Sequence, residues 1–147
     1  MTHDAILSTL KESPLHGREL RRQAMELLDS LPDFNWSGIY RLEGDTLVLD
    51  EYVGAATDHT HIPVGRGVCG TAVAEDRNQV IEDVRELENY LACSLETRSE
   101  IVVLIRREGA ILGQIDIDGH RVGAFGDAEE SLLEAMATIL AERWDDA

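Results

Sequence analysis

The stretch that most restricts the fold runs from residue 100 to 118. Two strand-like runs, EIVVLIR (100–106) and AILGQIDID (110–118), flank the short turn REG. β-branched apolar residues on either side of a glycine turn predict an antiparallel hairpin. A three-residue loop 107–109, with Gly109 left-handed, would pair Arg106 with Ala110 and set Glu100 opposite Asp116. Residues opposite one another point to the same face. By the period of two, Gln114, Asp116 and Asp118 share that face, while Ile115 and Ile117 point to the other. Glu100, Asp116 and Asp118 are therefore expected on one side of a sheet, and a slip of one residue would separate them. Like charges so close are costly. The group is either a solvated polar face or a cradle for an ammonium group, with one carboxyl kept protonated and able to donate. A calcium site would want more oxygen ligands than this pattern offers.

Just before the hairpin lies YLACSLETRSE (90–100), which is polar and turn-rich and carries Cys93, one of two cysteines. A thiol on a loop beside Glu100 suits a reaction in which a thiolate attacks and an acid supplies a proton. A small buried core residue is the other reading. The second thiol, Cys69, follows IPVGRGV in a bend with glycines at 65, 67 and 70. The bend leads into a short helix over 68–74, and the helix dipole would bias a thiol in its first turn towards thiolate. No Gly-Lys-Ser/Thr follows, and the spacing differs from the dinucleotide fingerprint.

The remaining chain is expected to frame these segments as one domain: helices within 4–31, a core over 35–120 and a final helix at 127–145. The first two helices cover 4–12 and 17–31 and are separated by Pro14. In the second, Leu20, Met25, Leu27 and Leu28 form the apolar side, with Arg18, Arg21, Arg22 and Glu26 on the polar side. A strand over 35–42 carries Trp36, Gly38, Tyr40 and Leu42 on one face, and a turn at Gly44-Asp45 returns it as a partner strand over 46–53. Trp36 and Tyr40 either pack as core or wall a pocket, with Gly38 leaving room between the rings. A short strand is expected at 78–83 and a brief helical turn at 86–91. Asp127 is the expected N-cap of the last helix with Glu130 completing the capping box, and Leu132, Leu133, Met136, Ile139 and Leu140 form its apolar stripe.

The 147 residues fit one domain with a proper core. The net charge of −16 argues against nucleic acid or an anionic membrane as partner. It suits either a ligand with an ammonium group or a solubility role for the surface. There is no apolar run of membrane-spanning length and no basic-then-apolar leader, so the cytoplasm is expected. Two cysteines without CxxC or HxxxH spacing argue against a disulfide framework and against a metal centre.

The motifs NWSGIY (35–40), IPVGRGVCGTAVA (62–74), IEDV (81–84), YLACS (90–94), SEIVV (99–103) and GQIDID (113–118), in this order, resemble a GAF domain. More narrowly, they resemble the GAF-type free methionine-(R)-sulfoxide reductases. The resemblance implies an α+β fold with a six-stranded antiparallel sheet flanked by helices, usually as a homodimer. It implies an oxidoreductase that needs no cofactor beyond an external thiol such as thioredoxin. By the same resemblance Cys93 attacks the sulfoxide sulfur. Glu100, Asp116 and Asp118 hold the substrate and help protonate the departing oxygen, and Trp36 and Tyr40 wall the methyl-sulfinyl end. Members of the family carry a resolving cysteine in the loop before Ile-Pro, where this chain has AATDHTH (55–61). Cys69 or a small external thiol is the expected substitute. A non-catalytic GAF module that binds a small ligand or senses redox state through a partner is the alternative.

Overall fold

The computed structural model describes residues 1–87 and 96–146. The elements are α1 (His3–Glu12), α2 (Gly17–Leu28), β1 (Trp36–Glu43), β2 (Thr46–Val53), β3 (His61–Pro63), α3 (Gly67–Glu75), β4 (Gln79–Ile81), a 3-10 turn at Val84–Glu86, β5 (Ser99–Arg107), β6 (Ala110–Gly119) and α4 (Asp127–Glu142). The six strands form one antiparallel sheet in the order β3-β2-β1-β6-β5-β4. With helices on both faces, this is the expected α+β architecture. The brief helical turn lies earlier than expected, and residues 88–91 of that expectation fall outside the described part. No helix among the described residues is long and apolar enough to cross a membrane.

Alternation along the central strands divides the core in two. Ile39, Ile101, Val103, Ile105, Ile115 and Ile117 point to one side, where α1, α2 and α4 cover them. Leu132, Leu133, Met136 and Leu140 of α4 fill this layer, so the apolar stripe of the last helix packs on the sheet. Trp36, Tyr40, Val102 and Leu104 point the other way, towards Val68, Cys69 and Ala72 of α3. Among the described residues, this second side is the thinner one and α3 is the helix that covers it.

The hairpin register departs from expectation in an instructive way. The loop has two residues, left-handed Glu108 and Gly109, and Arg107 pairs with Ala110. This tighter turn alone would put Glu100 and the β6 acids on opposite faces. A bulge between Ile105 and Arg106 then skips Leu112, so that Ile105 pairs with Gly113 and Glu100 with Asp118. The pairing lies two residues from the expected one, and the shared face is preserved.

Two other expectations shift. Arg21 is buried rather than on the polar side of α2. Its guanidinium pairs with buried Asp50, donates to the Trp144 carbonyl at 2.6 Å and lies 4.3 Å over the Trp144 ring. A charge inside the apolar stripe is tolerated because β2 and the C-terminus supply its partners. The α4 cap is Gly126, whose N–H donates to Glu129 at 2.7 Å. Glu130 instead accepts from Asn78 at 2.9 Å.

Gly113 sits at the bulge, where a Cβ would lie 2.2 Å from the Tyr40 carbonyl oxygen. Gly113→Ala is therefore expected to force β1 and β6 apart and to destabilise the fold by about 1–3 kcal/mol. Urea unfolding of the variant beside the parent measures it.

Candidate active site on the thin side of the sheet

Cross-strand pairing arranges three rows on the face beneath α3. Trp36, Asp118 and Glu100 form the first, Gly38, Asp116 and Val102 the second, and Tyr40, Gln114 and Leu104 the third. Glu100, Asp116 and Asp118 are all buried, Asp116 to 1% exposure. The expected gathering of acids is present, but as a desolvated cluster and not a solvated face.

Its electrostatics follow from that burial. Both Asp116 carboxylate oxygens and Asp118 Oδ1 are buried without a hydrogen-bond partner. Burial raises the Asp116 carboxyl above its ordinary value. It raises Asp118 further, with the Asp116 charge adding to the effect. An acid shifted this way holds a proton that ordinary carboxyls have already released, so it can act as a donor.

Cys69 enters from the first turn of α3, with Sγ 3.9 Å from Glu100 Oε2. Gln114 Nε2 donates to the Cys69 carbonyl at 3.4 Å and ties α3 to β6. The expected bias of this thiol towards thiolate is not present. Burial, then the charges of Asp116 and Glu100, push it well above the ordinary thiol range. Desolvation and like charge here outweigh the helix dipole. The three-glycine bend before α3 closes on its own backbone, Gly65 N–H donating to the Gly70 carbonyl at 2.8 Å.

The aromatics hold the far side. Trp36 lies across Gly38, where a Cβ would come within 2.3 Å of its ring. Its Nε1–H donates to the Ala55 carbonyl at 3.0 Å, and Tyr52 stacks on it at 5.7 Å. The Tyr40 hydroxyl donates to the His59 carbonyl at 2.7 Å. Both rings thus pin the loop between β2 and β3 over the acidic face. A cavity of about 100 Å³ reaches Asp118 between Trp36, Ala55, Thr57, Thr97 and His120. A groove of about 880 Å³ along α2 lies over the other sheet face, away from these acids.

The structure therefore brings together Trp36, Tyr40, Cys69, Glu100, Asp116 and Asp118. Cys93, the expected nucleophile, lies outside the described residues. Tyr52 and Gln114 are structural partners of the site that had been given no role. Gln114 already stood in the alternation with the two aspartates, whereas the stacking of Tyr52 depends on pairing between β1 and β2.

A GAF domain family model matches residues 17–144. The chain belongs to the GAF domain family. A free methionine-R-sulfoxide reductase from Escherichia coli is 44% identical over 114 residues, covering 78% of this chain and 68% of that protein. Among solved structures, the reduced form of fRMsr from Staphylococcus aureus matches with a TM-score of 0.90 and 34% identity, over 98% of this chain and 96% of that one. The free methionine-R-sulfoxide reductase from Neisseria meningitidis, solved with its substrate, matches with a TM-score of 0.88 and 30% identity. It covers 97% of this chain and 85% of that one. This GAF domain thus carries its buried acids on a fold shared with proteins of that name.

A raised carboxyl penalises folding once the unfolded chain has released its proton. The penalty is absent below the ordinary value of 3.8 and grows as pH rises towards the folded-state value. Asp118→Asn is expected to stabilise the protein at neutral pH by about 1 kcal/mol, roughly 2–4 °C in Tm. The gain should fade as pH falls towards 3.8, as thermal melts across pH would show.

Proposed function

We propose that this GAF domain reduces free methionine-(R)-sulfoxide to methionine. The observation that carries the reading is the pair of desolvated aspartates opposite Trp36 and Gly38, with both Asp116 oxygens and Asp118 Oδ1 left without a hydrogen-bond partner. Buried carboxylates without a cation are unstable, and an α-ammonium group would relieve them. A free amino acid has that group; a methionine inside a peptide does not. Relatives named for this reaction at 44% and 38% identity support the same choice of substrate.

In the proposed reaction the Cys93 thiolate attacks the sulfoxide sulfur. One of the raised carboxyls, with Glu100 beside it, delivers a proton to the sulfoxide oxygen as the S–O bond breaks. The transient sulfur–sulfur bond then breaks as the oxygen passes to the cysteine sulfur, so that methionine departs and Cys93 is left as sulfenic acid; the substrate sulfur gains two electrons and the cysteine sulfur loses two. A second thiol condenses with the sulfenic acid, releasing water and leaving a disulfide. A dithiol protein of the thioredoxin kind then reduces that disulfide. Trp36 and Tyr40 wall the methyl-sulfinyl end. Cys69 is one candidate for the second thiol. Its buried, acid-lined setting slows attack as thiolate, which favours a small external thiol in its place.

The test is reduction of free methionine sulfoxide with dithiothreitol or thioredoxin as reductant. Turnover of the free R epimer, and not of the S epimer or of N-acetylated methionine sulfoxide, is expected. Absence of product with either reductant, despite binding, would leave a non-catalytic ligand-binding GAF module. Cys93→Ser is expected to abolish turnover, and Glu100→Gln to lower kcat/KM by about a hundredfold. Steady-state kinetics on both variants checks these outcomes.

A further inference from the structure

We propose that Cys69, Glu100 and Asp116 form a binding site for a soft divalent cation such as Zn²⁺. The Cys69 sulfur and one carboxylate oxygen from each acid all lie within 4.8 Å of one another, and all three side chains are buried. A tetrahedral Zn²⁺ with one sulfur and two oxygen ligands needs S···O separations of about 3.6 Å. The 3.9 Å between Cys69 Sγ and Glu100 Oε2 is already close to that. The remaining contraction is on the order of an ångström, within the reach of side-chain rotation.

A second observation points to a ligand here. Asp116, in the cluster itself, is 1% exposed with both carboxylate oxygens unpartnered, and Asp118, 2% exposed and paired across the strands with Glu100, leaves Oδ1 unpartnered. The Asp118 charge is felt at the Cys69 thiol. One sulfur among hard oxygens favours Zn²⁺ or Cd²⁺ over Mg²⁺ or Ca²⁺, which seek all-oxygen shells. Binding breaks the S–H bond of Cys69 and forms a metal–sulfur bond, the proton leaving to solvent. No redox partner is needed.

The donors come from three separate elements, α3, β5 and β6, so no short spacing motif marks them. The inference does not rest on the reductase reading, since the metal is detected directly. If both hold, the cation and the substrate ammonium compete for the same carboxylates, and the metal inhibits.

The test is titration of the reduced full chain with Cd²⁺ alone, followed by the ultraviolet thiolate-to-metal charge-transfer band. One Cd²⁺ per chain is expected, displaceable by Zn²⁺. The band should persist in Cys93→Ser and vanish in Cys69→Ser. Asp116→Asn, nearly isosteric, should weaken binding at least about tenfold while far-ultraviolet circular dichroism stays unchanged. It serves as the test if Cys69→Ser fails to fold. No band, a band that survives Cys69→Ser, or an unchanged affinity in Asp116→Asn overturns the proposal.

Discussion

Three carboxyl groups buried on one sheet face are the constraint on which the site depends. Transfer of a carboxylate out of water costs several kcal/mol unless a counter-charge or hydrogen bonds replace the lost solvation. Asp116 and Asp118 have oxygens with neither. The folded chain meets that cost by keeping carboxyls protonated, and a cation entering the cluster would relieve it. The same unfavourable burial thus makes a proton donor and a cation receptor of one group of residues. Elsewhere the protein pairs its buried charge: Asp50 is held by Arg21 and Arg41. The contrast between satisfied and unsatisfied acids within one sheet marks the acidic face as functional ground.

Backbone irregularity makes this burial possible. The two-residue turn at Glu108-Gly109 sets a register that would scatter the acids, and the bulge past Leu112 restores it. A second bulge in β2, opposite Ile39, accommodates the stretch that holds Asp50. The helix-covered side is filled by isoleucines and leucines and gives rigidity. Among the described residues, the other side is covered by α3 and the loop pinned by Trp36 and Tyr40. One well-packed face supports one chemically loaded face, a division of labour that suits a small domain.

Much of this was legible in the amino-acid order. Alternation in GQIDID put Asp116 and Asp118 on one face and the isoleucines on the other, and SEIVV brought Glu100 to the partner strand. Trp36, Gly38 and Tyr40 shared a face by the same period. What was not legible depended on distant contacts. The bulge has no local signature stronger than Gly113, so the register was off by two. Arg21 read as solvent-facing because its partners, Asp50 and the Trp144 carbonyl, lie 29 and 123 residues away. The state of the Cys69 thiol was misjudged for the same reason. Its helix position is local, whereas the acids that hold it protonated come from two other strands.

The chemistry of the site depends on the protonation of the acidic cluster. The direct measurement is the carboxyl ¹³C shift of Asp116 and Asp118 as a function of pH, with and without free methionine as an ammonium-bearing ligand. The account predicts that without ligand the aspartates titrate above the ordinary 3.8, and that ligand draws them back down. Ordinary titration that ignores the ligand would contradict it.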